Sequence, residues 1–230
     1  MTNDPKILTL ALASGLIPSL LWLWFWIKEE SKKAEPKGIL AIVFIMGMIG
    51  VICVLPIQKF IQTHVDPGNI QLVLYASAEE IIKYLAVIII LYKTHNADEP
   101  ADWPIYLITA ALGFAALENA LFLIKPLSSL DATTVGLLTG GRRFLGATLL
   151  HAVSSGILGM SLGLSLHMPW VKKSAYAFWG LILAITLHSI FNFFIMKGSG
   201  GNFLSVFGFL WVIAIINILI FEKLKRMSTV

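Results

Sequence analysis

Residues 76–83 read Ala76-Ser77-Ala78-Glu79-Glu80-Ile81-Ile82-Lys83, inside an apolar run from about 70 to 92. A run of that length can cross a bilayer, which takes about 20 apolar residues. An ionisable side chain at the centre of a membrane helix costs roughly 2.5–3.5 kcal/mol even on the most lenient scale. This helix carries three of them. They are expected to face a protein interior or a water-filled cavity, and such residues mark a functional site.

The rest of the chain agrees with a membrane setting. Its 230 residues are 57% hydrophobic and only 13% charged, with mean hydropathy +0.83. A soluble domain is about one quarter charged. The formal charge of +4 therefore speaks to topology and anionic lipid, and argues against a nucleic-acid partner. The single cysteine, Cys53, excludes an internal disulfide and a CxxC metal site. The first apolar run is too long for the core of a cleaved signal peptide.

Seven apolar runs are expected to form spanning helices: about 7–27, 38–60, 70–92, 102–124, 143–167, 174–196 and 203–222. The fold class is all-α, a polytopic transmembrane bundle of about seven helices. Residues 1–230 read as one integral membrane domain, with the polar chemistry in about 70–196. Placing the N-terminus outside puts ten of the 17 Lys and Arg residues inside and six outside, with Lys83 within a span. That bias predicts an external N-terminus and a cytoplasmic C-terminus. Trp22, Trp24 and Trp26 read as an interfacial aromatic belt, and the charged run 28–37 as a solvated turn.

Few other polar residues fall inside the runs. The fourth has Phe114, Glu118 and Asn119; the fifth has His151, Ser154 and Ser155; the sixth has His188 and Asn192. Counted from the outer end of each run, Glu79, Glu118, His151 and His188 lie within roughly 5 Å of one another in depth. Spacing within each helix agrees. Glu79 and Glu80 both share a face with Lys83, and Phe114–Glu118 and His188–Asn192 are each one turn apart. Ala147, Gly159, Gly163 and the alanines before Glu79 and Glu118 let helices approach closely.

Such a pocket permits water activation. Two adjacent carboxylates resist double ionisation, so one can serve as a base while the other keeps its proton. A histidine and an asparagine one turn apart can stabilise a developing oxyanion.

Glu79-Glu80-Ile81-Ile82-Lys83 matches EExxK, and Phe114-Ala115-Ala116-Leu117-Glu118-Asn119 matches FxxxEN. His151, then His188 with Asn192 as HxxxN, follow in order. The chain thus resembles the PrsW-type intramembrane proteases, in the superfamily that includes the CAAX prenyl proteases. The resemblance implies a glutamate-dependent peptidase that cleaves a membrane-anchored protein, such as an anti-sigma factor, near the extracytoplasmic side. It implies Glu79 as the base, Glu80 as its support or proton shuttle, and His188 with Asn192 at the oxyanion. The CAAX branch carries EExxxR and FxxxH where this chain has Lys83 and Glu118. His151 is therefore expected to take over part of the missing histidine's role, with Glu118 and Asn119 orienting neighbours. That departure argues against a prenylated substrate.

Two alternatives stand beside this reading. No cofactor is expected from it, but Glu79, Glu118, His151 and His188 could instead hold zinc or iron, although HExxH is absent. The same carboxylates could serve a proton-coupled transporter, although neither inverted repeats nor broken helices stand out. The substrate's identity and the oligomeric state leave no mark in the sequence.

Overall fold

The computed structural model describes residues 4–29, 35–94, 96–128, 146–197 and 203–228. His95, Arg142 and Arg143 fall outside them. Seven α-helices occupy the described residues: α1 Pro5–Glu29, α2 Lys37–His64, α3 Asn69–Thr94, α4 Asp102–Leu127, α5 Ala147–Leu164, α6 Trp170–Lys197 and α7 Phe203–Ser228. They match the seven apolar runs in order. The described residues contain no strand. In lipid each backbone N–H and C=O must be satisfied within the segment, and a helix does this.

Six of the seven are long and apolar enough to cross a membrane. The exception is α3, and the reason is chemical. It is 26 residues long, as long as α4, but Glu79, Glu80 and Lys83 break its apolar character. Breakers end the helices where expected, as at Asp66-Pro67-Gly68 between α2 and α3. Pro18 and Pro56 are carried inside α1 and α2 without ending them.

The core is α4, apolar on every side and buried from Pro104 to Ala116, as expected of a helix enclosed by others. Helices α1, α2 and α5 pack on it; α6 packs on α5 and α3, and α7 on α5. Large side chains such as Leu21, Ile52, Phe60, Trp179, Val212 and Leu219 point outward, as they would towards lipid.

Small residues set how near α4 its neighbours come. A Cβ on Gly47 would run into the Ala110 carbonyl, and one on Gly113 into the Phe44 carbonyl. On α5, a Cβ on Gly159 would meet Pro104 Cα at 2.5 Å. The α2–α4 and α4–α5 crossings are thus backbone against backbone.

Three expectations need correction. Trp26 is buried, not interfacial, and packs edge-on to Phe221 with centroids 5.5 Å apart; only Trp24 is mostly exposed. Glu35, within the charged run, is buried and accepts a hydrogen bond from the Tyr106 hydroxyl. A satisfied acceptor tolerates burial, so charge density alone did not mark a solvated turn. Helices α2 and α7 also carry polar chemistry: Asn217 Nδ2 donates to the Val153 carbonyl at 2.9 Å, and Gln58 reaches Glu79.

Gly47→Leu should shift the thermal unfolding of purified protein downward by overpacking, a cost of about 1–3 kcal/mol. Gly208→Ala, at a position with no atom within 4 Å of the added Cβ, should leave the transition in place.

Candidate active site

Adjacent residues on a helix point about 100° apart, so Glu79 and Glu80 meet different neighbours. Glu80 faces α5 and α6 and is 1% exposed. Its Oε1 accepts from Lys83 Nζ at 2.7 Å and from His188 Nδ1 at 2.8 Å. Ser154 Oγ lies 3.1 Å from the same oxygen and 2.9 Å from the Leu150 carbonyl. Ser155 Oγ donates to Oε2 at 2.8 Å. Both oxygens of Glu80 are hydrogen-bonded, Oε1 most heavily.

Lys83 is 0% exposed and continues the network. Its ammonium also contacts His151 Nδ1 at 2.8 Å and sits 4.8 Å from the centroid of the Phe114 ring, a cation–π distance. An ammonium can only donate, so Nδ1 of His151 accepts. The proton of the neutral ring then lies on Nε2, which donates to Glu118 Oε2 at 2.9 Å. Phe114 packs beside the His151 ring, centroids 5.5 Å apart, and Gly50 of α2 leaves room for it.

Glu79 is held differently. Gln58 Nε2 donates to its Oε1 at 2.8 Å. Its Oε2 is buried and has no hydrogen-bond partner among the described residues. His188 Nε2 lies 3.6 Å from it. His188 Nδ1 donates to the Glu80 carboxylate; with the ring neutral, Nε2 presents a lone pair. Two acceptors then face each other, an arrangement that calls for a hydrogen donor beside them or a cation shared by both.

The four helices thus bring Glu79, Glu80, Lys83, Phe114, Glu118, His151 and His188 together, as the depth count expects. Asn119 stands just outside this group: its Nδ2 donates to Thr148 Oγ1 at 3.0 Å and joins α4 to α5. Asn192 is half-buried and makes no hydrogen bond to another described residue. The sequence reading missed Gln58. Its signal is an amide inside an apolar run, close to Lys59 and so easily taken for the helix end.

A sequence model described as PrsW family intramembrane metalloprotease matches residues 35–220. The chain belongs to the PrsW family. It is 27% identical over 201 residues to Protease PrsW of Geobacillus kaustophilus, covering 85% of this chain and 84% of that protein. With Protease PrsW of Oceanobacillus iheyensis it shares 29% over 211 residues, 89% and 92% of the two chains. With that of Shouchella clausii the identity is 28% over 219 residues, 94% and 95%. No solved structure matches. The chain is thus an integral membrane peptide hydrolase.

The family description includes a metal, and the donors can be tested against it. One ligand atom from each of Glu79, His151 and His188 lies within 4.8 Å of the others. A carboxylate oxygen with two imidazole nitrogens is a donor set suited to zinc. Glu79 Oε2 and His188 Nε2 are open. His151 Nε2 offers a lone pair only in the other tautomer, with the ring proton on Nδ1 and Lys83 neutral beside it. The residue types fit such an ion. Glu118, the fourth candidate, reaches the group through His151.

Lys83→Met would leave Glu80 charged, buried and unpaired, which costs about 3–5 kcal/mol. Thermal unfolding in detergent should register that loss. Adding Glu80→Gln should recover part of it, so that the double variant falls short of the sum of the singles.

Proposed function

We propose that the chain cleaves a membrane-anchored protein with a water activated at Glu79. The observation carrying this is the pair Glu79 Oε2 and His188 Nε2, 3.6 Å apart, with Oε2 buried and without a hydrogen-bond partner among the described residues. A water beside the pair donates to both atoms. Glu79 removes a proton as the water oxygen attacks the scissile carbonyl carbon. The C–N bond then breaks, and Glu79 returns the proton to the leaving amine. Gln58 fixes the orientation of Glu79 through Oε1.

Glu80 holds rather than reacts, because its oxygens are committed to Lys83, His188, Ser154 and Ser155. His188, anchored at Nδ1, orients the water through Nε2. In this proposal the oxyanion is left to Asn192, one turn further along α6. Lys83, Glu118 and Phe114 position His151, and Asn119 joins the helices beside it. The catalytic core is about 70–196 of one membrane domain.

A second reading rests on the Glu79–His151–His188 cluster and the family description. A zinc ion held by these residues would acidify a bound water and polarise the scissile carbonyl. In that reading His151 would carry its proton on Nδ1, towards a neutral Lys83, and present Nε2 to the ion, with Glu118 beside it.

The PrsW resemblance favours a single-span anti-sigma factor as substrate. The lysine and arginine bias supports an external N-terminus, and the resemblance supports a cut near the extracytoplasmic side.

Glu79→Gln should lower cleavage of a co-expressed membrane-anchored substrate by at least about 100-fold, the low end for general-base loss, while the protein still inserts and accumulates. Full activity in that variant would sink the assignment. Metal analysis separates the readings. Near-stoichiometric zinc that leaves with activity supports the metal centre; metal-free, chelator-resistant cleavage supports Glu79 alone. For topology, a fluorescent protein fused after Val230 should be bright, and alkaline phosphatase at the same position inactive.

A further inference from the structure

A second pocket lies apart from the carboxylates. Helices α3, α4 and α6 and the end of α5 enclose a cavity of about 390 Å³, lined in part by Tyr84, Trp103, Ser165, Trp170, Lys173 and Ser174. Trp103 lies about 22 Å along α4 from Glu118, and Leu162, also in the wall, about 16 Å along α5 from His151. The cavity therefore opens towards the opposite end of the bundle.

Its polar chemistry is one-sided. Trp103 Nε1 and Ser174 Oγ are buried and have no hydrogen-bond partner among the described residues. Native structures rarely leave buried donors unused. Lys173 reaches the same wall, and no carboxylate is among the described lining residues. The first turn of α6 has no acidic residue, and a helix N-terminus favours an anion. Donors and a positive charge converge here with no carboxylate to meet them among the described lining residues, which leaves a place for an anionic acceptor.

The surroundings indicate where that acceptor comes from. Trp170 is 79% exposed and Val171 76%, an aromatic and apolar rim of the kind that sits at a membrane interface. Leu162, Leu166 and Ala177 complete the wall. Basic pockets between membrane helices accept lipid headgroups. We propose that this cavity seats the phosphate of an anionic phospholipid, with Lys173 as its charge partner, Trp103 and Ser174 as donors, and the apolar wall against the glycerol and upper chains.

The inference stands independently of the hydrolytic reading, so its test needs no substrate. The full chain would be purified and exchanged into equal phosphatidylglycerol and phosphatidylcholine, and retained lipid read by native mass spectrometry. Wild type should retain phosphatidylglycerol selectively. One lysine near an anionic surface is worth about 1 kcal/mol, or about fivefold. Lys172→Gln, at an exposed neighbour, should cost no more than that, whereas Lys173→Gln should cost more than tenfold. Ser174→Ala should weaken retention without altering charge, which keeps the proposal testable if Lys173→Gln fails to accumulate. Equal losses at Lys172 and Lys173, or no selectivity in wild type, would overturn it. Displacement of the lipid by millimolar inorganic phosphate would assign the site to free phosphate and overturn the lipid.

Discussion

A wholly buried ammonium imposes the strictest demand on this molecule. Lys83 has no access to water, and a charge in that position persists only when paired and hydrogen-bonded. Its partners come from two helices, Glu80 one turn back on α3 and His151 on α5. The α3 and α5 backbones meet only briefly, so their direct contact is mostly polar, made by Lys83 and Glu80 with His151, Ser154 and Ser155. It requires α5 to stand close to α4, and α4 to α2. The glycines at those crossings make such approaches possible. The small-residue packing and the charged network are thus one arrangement: wider helix spacing would leave Lys83 and Glu80 unpaired in a medium that does not tolerate it.

That network also decides which of two neighbouring carboxylates is free to react. Glu80 receives a lysine, a histidine and two serines, and a carboxylate so bound is a poor base. Glu79 receives one neutral amide, from Gln58, at one oxygen. Its other oxygen is left towards His188. The two histidines divide in the same way. His151 is engaged at both nitrogens, whereas His188 is engaged at Nδ1 and faces Glu79 with Nε2. Rigid partners on one side and an open pair of acceptors on the other is how a pre-organised site holds its reacting atoms.

Much of this is legible in the amino-acid sequence. Three charges in one span, and the shared depth of Glu118, His151 and His188, placed the cluster correctly because lipid leaves such groups no alternative. The division between Glu79 and Glu80 was not readable. Both share a face with Lys83 by spacing, and only the rotation of α3 against α5 and α6 chooses between them. Gln58 was hidden by its closeness to a charged helix end, and Asn217 by lying alone in an apolar helix. Glu35 was hidden by company: amid lysines and glutamates nothing distinguished the one carboxylate that folds back to Tyr106.

The charge balance of the cluster turns on a single atom. Lys83 neutralises Glu80. Glu118 is 30% exposed, so water can share in solvating it while His151 donates to it. Glu79 is buried and has only an amide for company, with no fixed cation given to it alone. A buried carboxylate in that state calls for a hydrogen-bond donor such as water, or a metal ion. Taking a proton from water is the act of a general base, and taking a metal is the act of a ligand. The two readings of hydrolysis are therefore two ways of meeting one electrostatic deficit, and both meet it at Glu79 Oε2 with His188 Nε2 opposite.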